Sequence, residues 1–146
     1  MVTFETVIKA LHIMSVVAAF GPPLAFPFVF AYAQKHQAGA LGPLHEVQLW
    51  INRRIVGIGT GLVLVLGAIL ATKEDVWSEA WVTIPLIIIF IIGGVGGALI
   101  NPSVQRLSQK AGTAEYDAEY KSYIRYELLL GALVLVAIFV MTTKPG

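Results

Sequence analysis

The chain has 146 residues and a formal net charge of +1, from 10 Lys+Arg against 9 Asp+Glu. It is 57% hydrophobic and only 13% charged, where a soluble domain carries about 25%, and its mean hydropathy is +0.77. These figures exclude a water-soluble globule and leave no basic surplus for nucleic acid; the absence of cysteine excludes disulfide frameworks, thiolate metal sites and iron–sulfur clusters.

A hydrocarbon core about 30 Å thick takes about 20 apolar residues at 1.5 Å each. Four runs of this kind occur, from about Val7 to Ala33, Leu49 to Thr72, Val82 to Ile100 and Leu128 to Thr143. They predict an all-α polytopic membrane protein in which residues 1–146 form a single four-helix transmembrane domain. The first run reads as a retained helix and not a signal peptide, because Lys9 makes a thin basic flank and no A-x-A-like cleavage site follows.

Along the first helix, Glu5, Lys9 and His12 recur at spacings of four and three, and Ser15 continues the same face. The result is a polar stripe. His12 is the one ionisable residue well inside a span, which makes it the prime candidate for a ligand, a proton relay or a hydrogen bond to a facing helix. Pro22, Pro23 and Pro27 each remove a backbone hydrogen bond, so a kink or local unwinding is expected around Phe20 to Pro27. His36 and His45 fall in the first loop; their spacing of nine fits no metal motif and predicts solvated side chains.

Arg53 and Arg54 open the second span, and Glu127 opens the fourth at the same level. They read as an inner-side ion pair, or as a site for an anionic headgroup. Gly57 and Gly61 on the second span and Gly93 and Gly97 on the third, four apart in each case, predict close packing of these two helices. The Leu86 to Ile92 run suits lipid or another subunit. Asn101-Pro102 is expected to disturb or end the third helix, and Gly112 to break the chain before the fourth. Between them and the last span, Tyr116, Tyr120 and Tyr123 share one face of a polar stretch from Ser108 to Tyr126. That stretch reads as an interfacial tyrosine belt, a partner-binding surface or an extension of the fourth helix.

Orientation follows from the basic residues. Lys35, Arg53, Arg54, Arg106, Lys110, Lys121 and Arg125 lie on one side, against Lys9, Lys73 and Lys144 on the other, where Glu74, Asp75 and Glu79 add acid. This predicts a multi-pass protein of the bacterial inner (plasma) membrane with both termini outside. No nucleophile elbow, phosphate-cradling loop, zincin helix or dinucleotide fingerprint occurs, so no catalytic residue and no metal site is assigned.

The segments "VIKALHIMSVVAAF" and "FVFAYAQKH" resemble the first helix of the HemJ-type protoporphyrinogen oxidases and the wider CopD-like four-helix membrane proteins. "NRRIVGIGTGLVLVLGAIL" is similar to their second helix, and "YELLLGALVLVAIFVMTTKPG" to their last, down to Lys144-Pro145. The chain also resembles predicted integral membrane proteins of unassigned function. The HemJ resemblance implies haem b as cofactor, protoporphyrinogen oxidation, and key positions at a first-helix histidine and a third-helix lysine. His12 matches the first. The third helix, "WVTIPLIIIFIIGGVGGALINP", holds neither lysine nor histidine, so the second position is missing. Met14 and Met141 form no cluster of the kind copper import needs.

The leading expectation is therefore a non-catalytic accessory subunit of a larger membrane electron-transfer complex, with the lipid bilayer and other membrane subunits, or a second copy of the chain, as partners. The alternative is a haem b-binding membrane oxidoreductase with His12 as axial ligand. His12 and His45 are expected on opposite sides of the core, so they cannot share one iron, whereas two His12 residues across a dimer can. A channel or transporter ranks lower, since one buried ionisable group lines no pathway.

Overall fold

The computed structural model describes residues 1–144; Pro145 of the terminal motif lies outside the described residues. The molecule is all-helical among these, and four of its helical rods are long and apolar enough to cross a membrane: Phe4–His36, Ala38–Glu74, Ala80–Lys110 and Tyr116–Thr143. We label α1 (Phe4–His36), α2 (Leu41–Ile51), α3 (Gly57–Glu74), α4 (Ala80–Val95), α5 (Asn101–Lys110) and α6 (Tyr116–Thr143). A short 3-10 turn, Ala38–Ala40, precedes α2. Single π-helical turns, Asn52–Val56 and Gly96–Ile100, join α2 to α3 and α4 to α5 without breaking either rod.

Every rod outruns its apolar run at the end away from the chain termini. The 33 residues of α1 reach about 50 Å, more than the roughly 40–45 Å of a bilayer with its headgroups, so α1 projects or tilts. The side chain of Thr3 starts α1 by accepting a hydrogen bond from the Thr6 N–H at 3.2 Å. At the other end of the second rod, Asp75 takes a left-handed conformation (φ 53°), and the Val76 N–H returns to the Ala71 carbonyl at 3.0 Å, closing α3 before the short link to α4. Gly112 (φ +81°) does the corresponding work in the turn between α5 and α6.

The expectations about helix continuity fare differently. The local unwinding expected in α1 is absent: the helix is continuous through Pro22, Pro23 and Pro27, with Ala19 and Phe20 buried beside them. Asn101-Pro102 disturbs the third span without ending it: the helix widens into the π-helical turn Gly96–Ile100 just before the proline, and the rod continues to Lys110. The break expected at Gly112 is present, and the second half of the Ser108 to Tyr126 stretch is the expected extension of the fourth helix, the start of α6.

α1 lies along α3, α4 along α6, and α2 along α5, while α3 and α4, adjacent in sequence, share little surface. The expected glycine seam between the second and third rods is not formed. Gly61, Gly93, Gly94, Gly96 and Gly97 all face open space, where an added Cβ would meet nothing within 4 Å. The close approach is instead between α3 and α1: a Cβ at Gly59 would come within 3.0 Å of the Ala19 nitrogen and 3.1 Å of its Cα. Hydrophobic drive between helices is weak in lipid, so such backbone proximity has to supply cohesion. Large apolar side chains such as Ile13, Val17, Phe28, Ile58, Phe90 and Phe139 lie on the outside, as a lipid-facing surface requires.

Gly59→Ala is expected to destabilise the detergent-solubilised protein by about 1–3 kcal/mol, because α1 and α3 must separate, whereas Gly61→Ala is expected to be neutral or slightly stabilising. Thermal unfolding of the two variants side by side checks this.

Candidate functional site

A cavity of about 580 Å³ opens at the end of the bundle that carries the chain termini, between α1, α3, α4 and α6. Val63, Val16, Pro85 and Ile89 form its deeper wall, Met141 and Ile138 its α6 side, and Trp77 and Trp81 its rim. This size and apolar character suit a ligand pocket. The predicted polar stripe of α1 turns toward α3 and borders it. Lys9 binds Glu5 at 3.1 Å and reaches across to Glu74 of α3 at 2.8 Å, tying the two helices at the mouth. One turn deeper, His12 is buried (8% exposed), and neither ring nitrogen makes a hydrogen bond of good geometry, the ring lying beside the Val63 backbone of α3. Ser15, deeper still, is satisfied by donating to the Leu11 carbonyl at 2.8 Å.

The imidazole of His12 fits here because residue 67 is glycine. A Cβ at Gly67 would lie 3.1 Å from the His12 Cε1 and 3.6 Å from its Nδ1. Gly59 and Gly67 stand eight residues apart, about two turns along one face of α3, and that spacing is the one signal of a shared seam; nothing in the sequence singles Gly67 out as the residue opposite His12.

At the opposite end of the bundle lies a second polar group, fully enclosed. His45 of α2, expected in a solvated loop, is 0% exposed and stacks on Phe30 with ring centroids 4.0 Å apart. Its Nδ1 meets the Gln48 Oε1 at 2.9 Å, and since an amide oxygen only accepts, Nδ1 carries the proton. In neutral His45 the Nε2 then accepts from the Tyr116 hydroxyl at 2.6 Å, and Gln48 Nε2 donates to the Tyr123 hydroxyl at 2.6 Å. The tyrosine belt is thus corrected: Tyr116 and Tyr123 are buried and knit α6 to α2. His45 and Gln48, three apart, and Tyr116 and Tyr123, seven apart, each mark one helical face, which is the available signal for this pairing.

Residues 6–145 match the family model described as "Predicted integral membrane protein (DUF2269)". The chain belongs to this family. No curated protein and no solved structure matches it. In this DUF2269 chain the membrane assignment rests on two agreeing observations, the family and the four apolar rods.

The predicted pairing of Arg53 and Arg54 with Glu127 is not made. Both arginines are exposed on the first π-helical turn, Glu127 is 4% exposed on the inward face of α6, and the ion pairs among the described residues are Lys9 with Glu5 and Glu74, and Arg106 with Glu119. The α2–π–α3 rod turns the arginines outward, away from the Glu127 face of α6. Among the described residues no three His, Cys, Asp or Glu side chains gather as a metal cluster, and Met14 is exposed, apart from the cavity-lining Met141.

His45→Leu is expected to cost about 1–3 kcal/mol of stability, since it strands the Tyr116 hydroxyl and the Gln48 carbonyl, while His36→Leu, at an exposed site, is expected to be near neutral. Chemical or thermal denaturation in one detergent checks the contrast.

Proposed function

We propose that this membrane protein binds a large, mainly apolar ligand in the cavity beside His12, with the imidazole as the ligand's metal-binding or hydrogen-bonding contact. One observation carries the reading: His12 lines a cavity of about 580 Å³, and its two ring nitrogens, covered by protein and without a hydrogen bond of good geometry, come within reach of a ligand once the ring turns from the α3 wall at Gly67. A buried polar group without a partner costs about 1–3 kcal/mol, and a ligand that bonds it recovers that cost. The surplus of Lys and Arg at the opposite end favours an orientation with both termini, and hence the cavity, outside an inner membrane.

Haem b is the occupant that the HemJ resemblance suggests, and the residues accommodate it. His12 would hold the iron, Gly67 leaves the imidazole room, and Lys9 and Lys144 at the mouth would offer charge to acidic substituents. When bound, such a group supplies one-electron redox chemistry. This chain's own contribution would be to hold the imidazole, to exclude water with the apolar wall, and to keep charge at the mouth. The third-helix lysine of the HemJ pattern has no counterpart, which favours ligand binding or electron transfer over porphyrinogen oxidation.

A second reading, an accessory subunit of a larger electron-transfer complex, is supported by the open run of Gly93, Gly94, Gly96 and Gly97, where a partner helix can approach the backbone closely. Gently solubilised protein from native membranes tests both. The ligand reading expects a haem b spectrum near one per chain, oxidised and dithionite-reduced, that is lost in His12→Ala and weakened in Gly67→Ala. A colourless protein in a particle far larger than one chain with its detergent would favour the subunit reading.

A further inference from the structure

The His12 cavity is apolar through its body and charged only at its mouth, where Lys9, Glu74 and Lys144 line it. With Glu5 beside Lys9, two ammonium groups meet two carboxylates here, and both carboxylates are engaged by Lys9. Lys9 is divided between Glu5 and Glu74, at 3.1 and 2.8 Å. The Lys144 ammonium lies 4.5 Å from the centroid of the Trp81 ring, with no carboxylate side chain in ion-pair reach among the described residues. A cation resting on an aromatic face keeps its charge available to an incoming anion. Below it the α1 wall falls from Lys9 through His12 to Val16, about 10 Å at 1.5 Å per residue. Ile13 and Val17 line the same cavity yet are 62% and 66% exposed on the outer surface of α1, so the cavity communicates sideways with the lipid phase.

From the charge at the mouth, the apolar depth and the lateral opening, we infer that the ligand is an anionic amphiphile. It is a carboxylic acid with a bulky apolar body, taken from the surrounding lipid, whose acid head is received by Lys144 and Lys9 while its body lies against His12. The inference rests on the cavity being the ligand site, and it does not depend on the ligand being a haem. An acyl-chain carboxylate and the propionates of a tetrapyrrole share this head chemistry, and a visible spectrum of the same sample separates them.

Trp77 and Trp81 at the rim report on occupancy directly, and Trp50→Phe removes the third tryptophan, which is exposed on α2 at the far end. The experiment titrates this full-length protein, in zwitterionic nanodiscs, with dibrominated stearic acid and with its uncharged methyl ester, reading tryptophan quenching. The expected result is saturable quenching by the acid at about tenfold lower concentration than by the ester, the scale of one charge-assisted contact. Lys144→Gln is expected to bring the acid close to the ester and leave the ester unchanged, and Glu74→Gln to widen the gap. Equal quenching by acid and ester in the unsubstituted mouth, non-saturable quenching by both, or an acid preference untouched by both substitutions overturns the inference. His12→Ala separates this result from the reading it rests on: an acid preference that persists with no change at all on His12 replacement would sink the imidazole contact alone, whereas a His12-dependent chromophore with no acid preference would sink the anionic head alone.

Discussion

The closeness of α1 to α3 is the constraint on which the rest of the architecture depends. At Gly59 the two backbones approach until a single methyl group would collide with Ala19, and further along the same seam Gly67 leaves the space that the His12 ring occupies. A seam made without large side chains brings the helices together while keeping bulk out of the interface. The cavity at the termini end lies between this pair and the pair α4 and α6, which supply its far walls.

The two ends of the bundle resolve the burial of polar groups in opposite ways. Away from the termini, Tyr116, His45, Gln48 and Tyr123 pass hydrogen bonds in sequence within a closed, aromatic-walled cluster, so the imidazole there is spoken for on both nitrogens. Near the termini, the other buried imidazole has neither. Two histidines of similar burial thus carry different chemical meaning. The satisfied one acts as mortar between α2 and α6, and the unsatisfied one is the group with bonding capacity left over.

The four rods are legible from hydropathy alone, because a run of about 20 apolar residues has few other uses. The face of α1 that carries His12 is legible too, from the spacing of Glu5, Lys9 and Ser15. Helix pairing is not. Gly57 and Gly61 match Gly93 and Gly97 in spacing as well as Gly59 and Gly67 match Ala19 and His12 in fact, and small residues do not announce their partner. His45 misleads because polar composition near a predicted loop implies solvent, whereas α2 and α5 extend the bundle past its apolar length and bury what they carry. The Arg53, Arg54 and Glu127 placement fails for a related reason: equal depth in a membrane does not imply the same side of a helix.

Both interrupted rods carry their π-helical turn at the same level, where the Asn52 amide donates to the Asn101 side-chain oxygen at 3.1 Å. Each such turn accommodates one residue more than an α-helix would, which advances the following face by about 100°. The second rod can therefore show one side to α5 at one end and another to α1 at the other. Loss of one residue within Asn52–Val56 would restore a plain α-helix and swing Gly59 and Gly67 out of the seam together. The spacing between the two polar centres is thus set by a counted insertion, and length in this short segment is under tighter constraint than the identity of the exposed side chains it bears.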